Sequence, residues 1–135
     1  MRDDKNAVFH STCFACGAEN ENGLHLEFKD SPNGCSSDVS IPSHFQSYEG
    51  VVHGGIVATV LDAAMVHSLR GQCGDAPVTC RLEVRYLCIV PPGANLTVNA
   101  RRKGKRGKIS LVDAELLSSG TCFARARGAF TISER

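Results

Sequence analysis

The run Val52-His53-Gly54-Gly55 and the acid Asp62, nine residues after His53, are the groups in this sequence best suited to chemistry. Paired glycines let a chain turn sharply and let another group come close to the backbone. If a helix begins there, its first N–H groups have no intrahelical acceptor, and the helix dipole adds partial positive charge. A carbonyl oxygen that gains negative charge would be stabilised at that point. The plainer alternative is a tight helix entry capped by His53. Asp62 stands among Val60, Leu61, Ala63, Ala64 and Met65. An unpaired carboxylate in apolar surroundings is costly or acquires a raised pKa, which makes such a residue a functional candidate. The alternative is a side chain that reaches solvent at the helix edge, or that pairs with His67 or Arg70.

These residues need a helix to hold them. From Gly54 to Leu69 the chain is too long for a strand and apolar on most faces, which predicts a buried helix with Gly71 and Gly74 as its stop. Its β-branched residues lower its intrinsic propensity, so packing must hold it. On such a helix Asp62 lies about 13 Å along the axis from His53 and on the opposite side. One helix cannot bring its own first N–H groups and this carboxylate onto one small reacting atom. Two antiparallel helices across a two-fold can, so a site built from both groups requires at least a dimer.

Strands flank the helix. Leu24, Leu26 and Phe28 alternate with polar residues, Ser31-Pro32-Asn33-Gly34 makes a turn, and Cys35, Ser37, Val39 and Ile41 continue as a second strand. After the helix, Val78, Cys80, Leu82, Val84, Tyr86 and Cys88 form the buried face of a long strand. That parity leaves Thr79 on the polar face with Arg81 and Glu83, unless a bulge at the strand start re-aims it. Leu96, Val98 and Ala100 form the next inward row, Lys103 to Lys108 a basic turn, and 109–117 and 122–132 two further strands joined by Ser118-Ser119-Gly120. Two strands, one helix and four strands predict an α+β fold in which one buried helix is wrapped by a long curved antiparallel sheet. One helix covers only part of such a sheet, and the remaining edge invites a second copy.

Composition bounds the rest. The chain has 135 residues, 15 Lys+Arg against 14 Asp+Glu, 42% hydrophobic and 21% charged residues. This is enough for one globular domain with a real core, with residues 1–12 as a polar amino-terminal arm. A net charge of +1 argues against a general nucleic-acid binder. No apolar stretch reaches the ~20 residues that span a bilayer. Seven cysteines, an odd number in a chain with no secretory leader pattern, predict a reduced, cytoplasmic protein, with Cys35, Cys73, Cys80, Cys88 and Cys122 as small core residues. Cys13 and Cys16 have no second CxxC to complete a four-ligand zinc site, so no metal is expected. The run from Arg101 to Lys108 carries six positive charges in eight residues. It reads either as a solvated hairpin turn or as a docking patch for phosphates.

Val52 to Asp62 resembles the signature of hotdog-fold acyl-CoA thioesterases, and within them the PaaI-like branch of the 4-hydroxybenzoyl-CoA thioesterase superfamily. Cys13-Phe14-Ala15-Cys16-Gly17 with Asn20, Gly23 and Leu24, the stretch Phe45 to Gly50, and the strand Leu82 to Pro91 are also similar to that family. The resemblance implies hydrolysis of an acyl-CoA to a free acid and CoA at a site shared across a homodimer, or a dimer of dimers. It implies that the Gly54 N–H polarises the thioester carbonyl and that Asp62 is nucleophile or general base. It gives His53 an orienting role, Gln46 (with Ser47 beside it) a place near the thioester or water, and Thr79 the hydroxyl that orients water. Lys103, Lys105, Arg106 and Lys108 are then expected to meet the CoA phosphates. CoA enters as part of the substrate, no separate cofactor is expected, and neither nucleic acid nor membrane is an expected partner. The alternative is a non-catalytic hotdog protein that binds acyl-CoA or an acyl carrier protein. Thr59, Met65 and Val66 are the helix residues expected to line the acyl pocket.

Overall fold

The computed structural model describes residues 11–73 and 76–133, so most of the arm read at residues 1–12 lies outside the described residues. The elements in chain order are β1 (Lys29–Ser31), β2 (Gly34–Val39), a 3-10 turn (Ser43–Phe45), α1 (Gly54–Cys73), β3 (Ala76–Tyr86), β4 (Leu96–Arg106), β5 (Ile109–Ser118) and β6 (Thr121–Ser133). The strands form a six-stranded sheet in the order β1-β2-β4-β5-β6-β3, with every neighbouring pair antiparallel. α1 touches all strands from β2 to β6. This is the one-helix, six-strand α+β hotdog arrangement that the sequence predicts.

The core follows from two periodicities. On α1 the buried residues are Val57, Val60, Leu61, Ala64, Met65, Ser68 and Leu69, a stripe at helical spacing. On the sheet, register aligns Cys35, Ala100, Ala114, Ala126 and Val84 in one cross-strand row on the helix side. Most of that row is small, which lets the helix settle close to the strands. At Gly128 the helix-side space is already taken: a Cβ there would lie 2.5 Å from Phe130 Cε2 and 3.1 Å from the Met65 methyl. The Cys35 thiol donates to Ala64 O at 3.1 Å, and burial above all pushes its pKa up to about 12.

Several sequence expectations need correction. The helix runs through Gly71 to Cys73. Its last turns are tied by Arg102, whose guanidinium donates to Ser68 O at 2.6 Å and to Pro32 O at 3.0 Å. Gly74 lies outside the described residues. Leu24 to Phe28 is not a strand: Leu24 and Leu26 donate their N–H groups to Phe14 O and Ala15 O, and β1 starts only at Lys29. The alternation correctly marks Leu26 as buried, but its backbone partner is a loop. Lys103 to Lys108 is not one turn, because β4 continues to Arg106 past a bulge at Arg102/Gly104, where Gly104 takes φ +144°. Met65 is fully buried against the sheet and does not line an open pocket. Cys80 and Cys88 are exposed and Cys122 half-buried, so of the four core candidates whose side chains are described only Cys35 is buried; the Cys73 side chain lies outside the described residues. The helix is also less enclosed than predicted, with Ala58, Thr59, Asp62, Ala63 and Val66 only half-buried.

β3 is the long open edge, with the three-residue β1 at the other end of the sheet. Among the described residues β3 pairs only with β6, and Val78, Leu82 and Tyr86 on it, with Leu87 and Ile89 beyond it, are exposed. An apolar edge strand with unpaired backbone groups is a template for another strand.

Candidate functional site

The helix entry leaves one donor unengaged. The Gly55 N–H donates to His53 Nδ1 at 2.8 Å, and the Ile56 and Val57 N–H groups donate to His53 O. Accepting at Nδ1 places the proton of the neutral ring on Nε2. The Gly54 N–H finds no acceptor among the described residues. From the other side, the Tyr86 hydroxyl donates to Gly54 O at 2.8 Å. The Tyr86 ring stands 3.6 Å from where a Cβ on Gly54 would be. The reading of His53 as a cap is therefore correct in geometry, and it coexists with a free N–H on the neighbouring residue.

Asp62 is half-buried and accepts the Thr79 hydroxyl at 2.8 Å. Burial pushes its carboxyl above the usual carboxylate range, and the Thr79 hydrogen bond pulls the other way. The His67 ring, one of the partners the sequence offers Asp62, is engaged elsewhere. That ring stacks on Phe28 at 4.9 Å, lies 3.5 Å from Asp30 and meets Arg70 at 3.4 Å. Burial first, and Arg70 second, push its pKa down, while Asp30 raises it.

Thr79 reaches Asp62 because β3 is bulged. Thr79 registers with Phe130 and Arg81 with Ala129, which leaves Cys80 as the extra residue. Phe130 is fully buried on the helix side, so its cross-strand partner Thr79 faces the helix too. Simple parity puts Thr79 with Arg81 on the polar face; the bulge is what overturns that expectation. β3 thus meets the helix at two points: Thr79 at Asp62 and, at the other end of the strand, Tyr86 at Gly54.

The remaining sequence candidates lie around this core. Gln46 is exposed in the loop before the helix, bridges Val52 through its backbone, and accepts the Gly50 N–H on Oε1 at 3.1 Å. It is thus occupied in closing the loop that leads to His53. Lys103, Lys105, Arg106 and Lys108 are exposed on the β4–β5 hairpin. Lys105 shares a register row with Ser110, Phe130 and Thr79, which puts the hairpin tip at the Asp62 end of the sheet. Three strand spacings, about 14 Å, separate it from β3. Among the described residues no three His, Cys, Asp or Glu side chains gather to hold a metal ion. Tyr86 escapes the sequence reading. It occupies one more apolar position of β3, and its only signal is a phenol on a strand facing the helix.

Chemically, a free N–H at a helix start can stabilise an oxyanion, and a carboxylate with a raised pKa can act as base or nucleophile. Within one chain the two groups sit at separate points on the helix. Comparison with known proteins then bears on what reaction they serve. The model of a family described as the thioesterase superfamily matches residues 49–121, which spans the loop, the helix and β3 through β5. No curated protein matches the chain. Solved structures of the same fold include a phenylacetic acid degradation-related protein of Ralstonia eutropha JMP134, 21% identical, with a TM-score of 0.74 over 81% of this chain and 86% of that one. The PaaI protein of the E. coli phenylacetic acid degradation operon is 19% identical, with a TM-score of 0.72 over 80% and 83%. A Streptococcus mutans protein bound to acetyl-CoA is 17% identical, with a TM-score of 0.73 over 82% and 90%. With the family model covering more than half of its length, the chain belongs to the thioesterase superfamily.

Proposed function

We propose that this protein is an acyl-CoA thioesterase that hydrolyses an acyl-CoA to the free carboxylic acid and CoA, at a site shared by two copies of the chain. The observation that carries this reading is the double attachment of β3 to the helix, Thr79 to Asp62 and Tyr86 to Gly54. β3 is an open, apolar edge. If two β3 strands pair antiparallel about a two-fold near Leu82 and Glu83, the Thr79 end of one lies beside the Tyr86 end of the other. The Gly54 N–H of one protomer then meets the partner's Asp62, which a single helix cannot achieve. Family membership supports the reaction class, and the neighbour bound to acetyl-CoA supports the ligand class.

In the reaction, the thioester oxygen accepts the Gly54 N–H and lies in the positive end of the helix dipole. Asp62 then either attacks the carbonyl carbon, giving an anhydride that water opens, or takes a proton from water that attacks directly. In both routes the C–S bond breaks, the CoA thiolate leaves and is protonated, and the acid carries the new oxygen. The raised pKa of Asp62 makes it a better base than an ordinary carboxylate, and Thr79 fixes its orientation. Lys103, Lys105, Arg106 and Lys108 supply cations for the CoA phosphates. No helix among the described residues is long and apolar enough to cross a membrane, and Cys13, Cys35, Cys80, Cys88 and Cys122 are free thiols. The thiols fit a protein that meets acyl-CoA in the reducing cytoplasm.

The test is release of free thiol from a panel of acyl-CoAs by the unchanged protein and by Asp62→Asn. Release by the first and not the second supports the reading. Tight acyl-CoA binding without release by either identifies a non-catalytic binder instead.

A further inference from the structure

We infer that Tyr86 is a positioning residue, which sets the aim of the Gly54 N–H by holding the Gly54–Gly55 peptide; this rests on the thioesterase reading above. The argument starts from the backbone. Two adjacent glycines carry the most conformational freedom of any dipeptide, and a helix's first turn lacks the hydrogen bonds that fix its interior. An oxyanion donor must nevertheless be fixed before the charge forms, because its value lies in not having to reorganise. At this entry the Gly54–Gly55 peptide is held at both ends. Its N–H donates to His53 Nδ1 at 2.8 Å, and its carbonyl accepts the Tyr86 hydroxyl at 2.8 Å. The Gly54 N–H lies on the preceding peptide, whose carbonyl, His53 O, accepts the Ile56 and Val57 N–H groups; with the following peptide fixed as well, rotation at Gly54 is stopped from both sides and the free N–H has a defined direction.

Tyr86 comes from outside the helix, so its hold is a tertiary one. It registers with Ala124, a fully buried residue on the helix side of β6, so the strand directs the ring at the helix entry. Half of its surface remains exposed in the single chain (54%), beside the point where a thioester must approach. His53 Nδ1 and the helix's own carbonyl ladder hold the peptide from within the helix, and Tyr86 adds the one hold that comes from the sheet.

The test is Tyr86→Phe, which keeps the ring and its contact with Gly54 and deletes only the hydroxyl. One neutral hydrogen bond converts to a fall in kcat of about three- to tenfold. The expected result is that fall with KM, oligomeric state and the Asp62 limb of the pH profile unchanged. Amide hydrogen exchange by NMR gives a second readout, with faster exchange at Gly55, whose N–H is bonded to His53, and no change from Val60 to Leu69. An unchanged kcat, or a loss confined to KM, overturns the assignment while Asp62→Asn still reports whether the reaction itself is right. If the unchanged protein hydrolyses no acyl-CoA, the functional reading fails by itself and exchange decides Tyr86. Faster exchange at Gly55 in Tyr86→Phe then supports the positioning role, and unchanged exchange overturns it.

Discussion

Thr79 Oγ1 donates a hydrogen bond of 2.8 Å to Asp62 Oδ1, and it does so across seventeen residues of chain and a bulge that turns it toward the helix. This contact joins the edge strand to the acid on which the proposed reaction depends. It also opposes burial in setting how readily Asp62 gives up its proton.

Asp62→Asn is expected to lower kcat/KM for acyl-CoA by at least about a hundredfold, the lower end of what a positioned base contributes. The same variant is expected to be more stable at neutral pH. Because the folded protein raises the Asp62 pKa above 3.8, it binds that proton more tightly than the unfolded chain does. Stability is therefore lost as pH rises from 3.8 through the raised value, and Asn carries no such penalty. Thermal melts of both proteins across pH should show the Asn variant a few degrees higher at pH 7, with the gap closing below pH 4.

Thr79→Val keeps the β-branched shape and removes the donor. Asp62 then loses the one contact that lowers its pKa. The acid limb of the kcat/KM profile should move to higher pH, with kcat at neutral pH falling about three- to tenfold. A profile that stays in place would show that the hydroxyl does not act on Asp62.

Leu82→Glu puts an unpaired charge beside the proposed two-fold on the helix side of the strand, where Leu82 registers with Gly128. Pairing of two edges there would have to bury that charge. Sedimentation should show a dimer for the unchanged protein and a monomer for the variant, with hydrolysis lost together with the dimer.

Lys105→Glu combined with Arg106→Glu should raise KM for acyl-CoA about tenfold or more. For a short acyl thioester without the nucleotide, KM should stay within twofold of the unchanged protein's. Equal effects on both substrates would remove the hairpin from phosphate binding.

Gly128→Ala should destabilise the fold by about 1–3 kcal/mol, the usual penalty for overpacking. The added methyl has to displace the Phe130 ring or the Met65 methyl. Denaturant unfolding measures this directly.

The helix and its two chemical groups are legible in the sequence because composition changes abruptly at Gly54 and because Asp62 is the only acid between Val52 and Leu69. Thr79 is legible only through resemblance. Face assignment in a strand counts residues by two, and a single extra residue at Cys80 defeats the count. Tyr86 is hidden for a different reason: its ring satisfies the apolar pattern while its hydroxyl does something the pattern does not encode. Arg102 hides inside the basic run, although register places it beside Val112 on the helix side and its guanidinium serves the helix. Leu24 to Phe28 shows the limit of alternation, which reports which side is buried and not which backbone supplies the hydrogen bonds.

The bulge leaves a further mark on the molecule. Cys80, its surplus residue, carries an exposed sulfur on the free strand edge, while the Cys35 thiol is buried and held far from thiolate. A maleimide should therefore modify Cys80 quickly in an isolated protomer and slowly once a second chain shields that edge, and it should reach Cys35 only on unfolding. One alkylating reagent then times two events on the same chain, the coming apart of the assembly and the opening of its interior.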